Sequence, residues 1–222
     1  DYNVIRTGRV IPKNNTGINL DIRNSVQIKE VLQSTQPDVI INLAAMTNVD
    51  SCEKYPQLAS EINVAGIHHL CKAFMGKIIH LSTDYVFDGT KGPYKESDAT
   101  RPLSVYGKTK LASERILMDC DADNLVIRGN VLYDDSPYTK ASFLNWVINS
   151  LSEGKTINVV KDQYCNPTWT KSMADIINLF ITSNLNGIYH WGDADYVNRF
   201  DLSKKIADKY ELPSKLINPI LT

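Results

Sequence analysis

The chain has 222 residues, 43% hydrophobic and 22% charged, with a formal net charge of -1. That length and apolar content suit one large globular domain, or a domain with a small appended lobe, and exclude a disordered chain. Near-zero charge without a basic stretch excludes nucleic acid as a partner, and no apolar run reaches the roughly 18 residues needed to span a bilayer, so no membrane association is expected.

The first element read in chain order is a strand at Val4-Ile5, met almost at once by a chain that opens at Asp1 without Met. A segment is therefore expected to precede these residues. Next come a helix over 25–34, stopping before Pro37, and an apolar strand over 38–42. A longer helix over 56–74 has Pro56 in its first turn, where a missing N–H costs nothing. Strand 77–81, helix 105–118 and strand 124–128 complete the alternation. Short apolar strands separated by amphipathic helices, each strand apolar enough to be covered on both faces, predict an α/β fold: a doubly wound parallel sheet of Rossmann type.

The texture changes after Arg128. Asp134, Asp135, Ser136 and Pro137 mark a loop, followed by helix 140–152 and strand 156–160, so a small C-terminal lobe is expected over 131–222 beside a first domain over 1–130. Helix 171–182 and strand 187–190 are expected to return to the first domain, and helix 200–210 closes the chain. The four cysteines, Cys52, Cys71, Cys120 and Cys165, lie far apart in sequence without C-x-x-C or Cys/His clustering. Reduced, buried thiols, no zinc site and a cytoplasmic setting follow as expectations.

Two motifs carry chemistry. Tyr106 and Lys110 form a Y-x-x-x-K near the start of a helix, one turn apart on one face. An ammonium beside a phenol favours the phenolate, so the pair is expected to lower the Tyr106 pKa and let it exchange a proton with a carbonyl or hydroxyl oxygen. With eleven tyrosines in the chain, about one such spacing arises by chance, and a surface Tyr/Lys pair is the plain alternative. The second motif is the strand I-I-H-L running into S-T-D-Y-V-F-D-G at 82–89. It delivers hydroxyls and a carboxylate to the C-terminal end of a buried strand, where open α/β sheets bind ligands.

S-T-D-Y-V-F-D-G, Y-G-K-T-K, the strand I-I-N-L-A-A-M-T-N-V-D at 40–50 and D-Q-Y-C-N-P-T at 162–168 occur in that order. Together they resemble the dTDP-4-dehydrorhamnose reductase family of the extended short-chain dehydrogenases/reductases, from about residue 21 to 210. The resemblance implies that Thr83 hydrogen-bonds the keto oxygen, that Tyr106 donates the proton as hydride arrives from the nicotinamide, and that Lys110 binds the nicotinamide ribose. It implies reduction of the C4 ketone of a nucleotide-linked 6-deoxy-4-keto-sugar, most directly dTDP-4-dehydrorhamnose to dTDP-L-rhamnose. The partners are then the nucleotide-sugar and, in assembly, a second copy as a homodimer.

By the same resemblance Asp21 and Ile22 lie at the adenine, Ala44, Ala45 and Met46 run beside the cofactor backbone, and Asn63 and Leu81 are further cofactor contacts. An acid at the end of the first strand would bind a ribose 2′-hydroxyl, whereas arginine accommodates a 2′-phosphate. Arg6 and Arg9 stand there, so NADP(H) is the expected cofactor, with NAD(H) the alternative. Asp84, Asn130 and Val131 are expected to join Thr83 in substrate binding, with Val131 standing where many rhamnose-pathway reductases carry Trp. No metal is expected, since Glu53 and Glu61 read as solvated helix residues.

Two departures and two rival readings remain. No Gly-x-x-Gly-x-x-Gly occurs in these residues, although that loop holds the pyrophosphate in relatives. Without a central first strand, the Val4 and Ile78 strands are expected to have open edges, and about 25–30 preceding residues would supply the strand, turn and helix. The nearest enzymatic rival is a nucleotide-sugar epimerase or dehydratase, but extended dehydratases follow the threonine with Asp-Glu, and here Asp84 precedes Tyr85. The other rival is a non-catalytic NADP-binding partner like the regulatory β subunit of methionine adenosyltransferase.

Overall fold

A computed structural model describes residues 2–11, 15–134 and 142–222. In chain order the first unit contains β1 (Thr7–Gly8), β2 (Ile18–Asn19), α1 (Ser25–Thr35), β3 (Val39–Asn42), α2 (Val49–Lys54), α3 (Pro56–Ser60), a π-helical turn (Glu61–Ala65), α4 (Gly66–Ala73), β4 (Lys77–Thr83), α5 (Val105–Met118) and β5 (Leu125–Gly129). Then follow β6 (Leu132–Tyr133), α6 (Phe143–Ser152), β7 (Ile157–Val160), β8 (Tyr164–Cys165), β9 (Thr168–Trp169), α7 (Thr170–Thr182), β10 (Gly187–Trp191), β11 (Val197–Asn198), α8 (Arg199–Lys209) and β12 (Ile217–Ile220). The chain divides into two compact units, Asp1–Arg128 with Phe180–His190, and Gly129–Leu179 with Trp191–Thr222.

The helix signals act where the residues place them. Asn24 caps α1 by accepting from the backbone N–H of Val26 and Gln27, and Gln36 ends it in the left-handed region, φ 43°, just before Pro37. Ser104 caps α5 by accepting from Gly107 N at 3.1 Å. The expected helix over 56–74 is interrupted: α3 and α4 are joined by the π turn, which turns Asn63 inward to 1% exposure. α2 is an additional short helix that periodicity did not predict, because six residues are too few to show a face. The start of the expected helix over 140–152, and residues 135–137 of the expected loop, lie outside the described residues.

The main sheet of the first unit has the order β10-β5-β4-β3, with β3 and β4 parallel and Val39 to Asn42 opposite Lys77 to His80. β5 is buried at all five positions. Helices α1, α4 and α5 cover the sheet through Ile28, Ile67, Leu70, Ile78, Leu117 and Val126. Lys77 ties the return of the chain to this unit by donating to the carbonyls of Phe180, Ser183 and Leu185, each at 2.9 Å. In the second unit, α6 and α8 pack on the parallel β7–β12 pair around Leu144, Val147, Leu151, Ile157, Val159, Ile206, Ala207 and Ile217.

Two expectations are corrected. Val4 and Ile5 do not form a doubly covered strand: they are 73% and 40% exposed, and the ladder is made instead by Thr7–Gly8 against Ile18–Asn19. An apolar run is buried only where neighbours cover it, and this pair forms a sheet of its own. Nor does the Ile78 strand have an open edge, since β3 and β5 flank it. Among the described residues the edges of this sheet are β10 and β3; in β3 Ile41 is 41% exposed, and Leu43, just beyond, 60%.

Candidate active site

β4 ends in Ser82 and Thr83, both 5% exposed, and the chain turns there into a short 3-10 segment, Asp84–Val86. Thr83 Oγ1 accepts from Tyr85 N at 3.2 Å and donates to Asp84 Oδ1 at 3.1 Å. The first turn of α5 brings Tyr106 alongside: its phenol is near enough to Thr83 and Asp84 for both to weigh on its pKa, and its ring meets Tyr85 edge-on at 5.7 Å. This approach requires glycine at 107, because a Cβ there would fall 2.2 Å from Tyr85 O. Two of the three expected catalytic groups are thus side by side at the C-terminal end of the sheet.

The third is turned inward. Lys110 is 1% exposed; its Nζ donates to Leu81 O at 2.7 Å and lies 3.0 Å from His80 Nε2. Burial lowers its pKa from the usual lysine range to about 7, against the opposing pull of Glu114. The Tyr106 pKa moves opposite to expectation: burial pushes it up to about 12, with the charge of Asp84 adding to the rise and the Thr83 contact opposing it. The expected lowering by Lys110 is therefore not found, because the amine is directed to His80 and the Leu81 carbonyl and is itself stripped of water.

Beneath the pair lies a polar layer that sequence reasoning missed. His80 contacts Asn42 Nδ2 through Nδ1 at 3.0 Å and Ser113 Oγ through Nε2 at 3.0 Å. Glu114 accepts from Ser82 Oγ at 2.5 Å and forms a buried ion pair with Arg128, Nη2 to Oε2 2.8 Å. The available signal was periodicity: Lys110, Ser113 and Glu114 fall on one face of α5, and His80 interrupts an otherwise apolar strand.

The expected cofactor residues divide. Arg9, Asp21, Ile22, Ala44 and Ala45 line one cavity of ≈ 360 Å³, together with Thr7, Gly8 and the edge strand β3. Asp21 accepts from Arg23 Nε and Nη2 at 3.0 and 2.6 Å, which holds its carboxyl down at about 2. The small alanines, one fixed carboxylate and an exposed guanidinium suit a phosphorylated nucleoside. Arg6 is exposed and outside that lining. Asn63 does not present its amide to the cavity: Oδ1 accepts from Met46 N at 2.7 Å, while Nδ2 donates to Met46 O at 3.1 Å and Thr109 Oγ1 at 2.9 Å. It anchors the Met46 backbone to α5. Leu81 is engaged through its carbonyl with Lys110.

Asn130 and Val131 belong to the second unit. Val131 has φ 39°, a strained conformation for a β-branched residue, and its carbonyl accepts from Thr168 N at 3.1 Å. Among the described residues Asn130 Oδ1 is buried without a hydrogen-bond partner. Of the acids weighed for a metal, Glu53 accepts from Val105 N at 2.7 Å and Glu61 pairs with Arg23 at 3.8 Å. Among the described residues no group of three or more His, Cys, Asp or Glu could hold a metal ion. The cysteines are free thiols, and burial, with Cys120 nearby, pushes Cys71 up to about 12. No described helix is long and apolar enough to cross a membrane.

A parallel α/β sheet that ends in a Ser-Thr pair beneath a helical Tyr and Lys has the architecture of the extended short-chain dehydrogenases/reductases. The family model for the RmlD substrate binding domain matches residues 3–222. A methionine adenosyltransferase 2 subunit beta from Xenopus tropicalis is 33% identical over 211 residues, covering 90% of this chain and 63% of that protein. A dTDP-4-dehydrorhamnose reductase from Salmonella typhimurium is 37% identical over 179 residues, covering 77% and 59%. The crystal structure of dTDP-4-dehydrorhamnose reductase from Bacillus anthracis in complex with NADP superposes with a TM-score of 0.85 at 31% identity, covering 91% of this chain and 72% of that one. The chain belongs to the dTDP-4-dehydrorhamnose reductase family, as its motifs implied. It spans about 63% of the length of the first curated relatives it matches.

Proposed function

We propose that the protein is an NAD(P)H-dependent reductase of the C4 ketone of a nucleotide-linked 6-deoxy-4-keto-sugar, with dTDP-4-dehydrorhamnose the first substrate to test. The observation that carries this reading is the placing of Tyr106, in the first turn of α5, beside the residues that follow the end of β4 at Thr83, its ring 5.7 Å from that of Tyr85, with burial pushing the phenol up to about 12. At neutral pH that phenol keeps its proton, as an acid must if it is to protonate an oxygen on which charge develops. Thr83 turns its single O–H from Asp84, to which it donates at 3.1 Å in the free protein, to the ketone oxygen when substrate binds, and so orients that oxygen toward the phenol. A reduced nicotinamide supplies the hydride when bound.

The cofactor assignment rests on Arg9 beside Asp21, Ile22, Ala44 and Ala45 in one cavity, and NADP is what the Bacillus anthracis relative holds. Arginine rather than an acid at this point suits a 2′-phosphate, so NADPH is the preferred form and NADH the weaker one. Lys110, as an ammonium swung out from His80, is assigned the nicotinamide ribose. Asn130, whose Oδ1 is buried without a hydrogen-bond partner among the described residues, is assigned to the sugar together with Val131. The first unit is assigned the cofactor and the second the substrate.

The test is oxidation of NADPH with dTDP-4-dehydro-6-deoxy-L-mannose. Tyr106→Phe is expected to lower kcat by 10²- to 10⁴-fold or about that, with cofactor affinity kept. Full activity in that variant would remove Tyr106 as the acid.

A second reading is favoured by one specific observation: the methionine adenosyltransferase β subunits align over more of this chain than the Salmonella typhimurium reductase does, 90% against 77%. On that reading the protein binds the nucleotide and docks on a synthetase. Association with a methionine adenosyltransferase catalytic subunit, with no turnover of any keto-sugar, is its expected signature.

A further inference from the structure

His80 is 1% exposed and touches neither substrate nor cofactor in the reading above, yet it sits 3.0 Å from the Lys110 amine. Its hydrogen bonds define which ring nitrogen bears the proton. Asn42 Oδ1 accepts from Ala44 N at 3.2 Å, which directs the Asn42 amide NH₂ at His80 Nδ1, 3.0 Å away. Nδ1 is therefore the acceptor, and a neutral ring carries its hydrogen on Nε2. Ser113 agrees: its hydroxyl donates to Lys110 O at 2.6 Å, so it offers Nε2, 3.0 Å away, only lone pairs, and the single Nε2–H is shared between Ser113 Oγ and the Lys110 amine, each at 3.0 Å.

An ammonium has three donors and no acceptor, so a charged Lys110 has no hydrogen bond to make with an Nε2 that already holds a proton. An uncharged amine has one lone pair to offer. We propose that His80 is a positioning residue for Lys110, its Nε2–H locked in place through Asn42 and aimed at the amine so that Lys110 is held uncharged on the inner side of β4. This rests on the reductase reading of Tyr106 and Lys110. Engagement of Lys110 as an ammonium then takes up one proton and breaks the contact with His80, so His80 sets the pH at which activity declines on the alkaline side.

The surrounding charges fit. Glu114, one turn further along α5, favours a charged Lys110, but its carboxylate is bound by Arg128 from β5 and Ser82 from β4. Asp84, Tyr85 and Cys52 of α2 act on Tyr106, one turn back along α5. Desolvation of the amine acts in the same direction as the His80 contact.

Nitrogen NMR on the whole chain labelled at histidine and lysine tests the proposal without any turnover. Nε2 of His80 is expected to be protonated and Nδ1 bare from pH 6 to 9 or about that range, with Lys110 Nζ titrating about three units below an exposed lysine. A ring protonated on Nδ1 with a bare Nε2 overturns the proposal. In the pH profile of kcat/KM, His80→Leu is expected to move the alkaline limb up by about one unit, a tenfold change in the protonation equilibrium. His80→Gln, which retains an N–H, is expected to move it less. An unmoved limb in His80→Leu also overturns the proposal. Should His80→Leu not fold, the wild-type spectra and the glutamine variant decide. If the spectra are as expected and no keto-sugar is reduced, the reductase reading fails while the His80–Lys110 pairing stands.

Discussion

Burial acts in opposite directions on the two ends of the Y-x-x-x-K turn. It raises the phenol of Tyr106 to about 12 and lowers the amine of Lys110 to about 7, because in each case it disfavours the charged form. Tyr106 is thereby kept as an acid. Asp84 supports this with a negative charge beside the phenol, so Asp84→Asn is expected to lower the ionisation pH of Tyr106, by less than the shift that burial causes. Difference absorbance of tyrosinate during an alkaline titration, compared with Tyr106→Phe, reads that single residue. A higher ionisation pH in Asp84→Asn would contradict the assignment. The motif's spacing was legible in the sequence; the sign of the shift was not, because it depends on water exclusion and on which way the lysine turns.

At the scale of elements, α5 carries both the proposed acid, Tyr106, and its support. Its first turn is pressed against the backbone after β4, where Gly107 leaves no room for a side chain: an added Cβ would lie 2.2 Å from Tyr85 O. Gly107→Ala is expected to cost about 1–3 kcal/mol in urea unfolding, as overpacking does, and to lower kcat by moving Tyr106 away from Thr83. One turn beyond Lys110, Glu114 pairs with Arg128 at 4% and 2% side-chain exposure for Arg and Glu. Arg128→Met strands a buried carboxylate that also accepts from Ser82, with an expected loss of about 3–5 kcal/mol. A loss below that of an ordinary surface substitution would show that the pair is dispensable. The π turn between α3 and α4 belongs to the same design, since it is what points Asn63 at Met46 and Thr109.

For the whole molecule, the two buried bases set the pH dependence of stability. The folded-state pKa of Lys110 is about 7, below its ordinary 10.5, so between those values the unfolded chain holds a proton that the folded one lacks. Its contribution is fully present above 10.5 and is lost as pH falls to 7. His80 is also lowered, from 6.5, so its contribution is fully present above 6.5 and is lost as pH falls further. Stability is expected to rise from pH 7.5 to 8.5, with Lys110 contributing about 1 kcal/mol. Lys110→Met is expected to flatten that rise. The upper bound avoids Cys71, which is raised from 9.0 to about 12 and so acts in the opposite direction above pH 9. Equal slopes in wild type and Lys110→Met would show that the amine is charged in the folded protein.

The sequence by itself determined the class of fold, the positions of most of its helices and strands, and the residues of the Thr83, Tyr106 and Lys110 motif. These are encoded locally, in hydrophobic period, capping residues and short strings. Only the tertiary structure decided that β3 rather than β4 is an edge strand, that Val4 and Ile5 are uncovered, and that Asn63 supports a backbone segment. It alone joined Asn42, His80, Ser113 and Lys110, residues spread over just more than 70 positions. Pairings between strands, water exclusion and hydrogen bonds across an interior arise from contacts distant in sequence, and no local pattern records them.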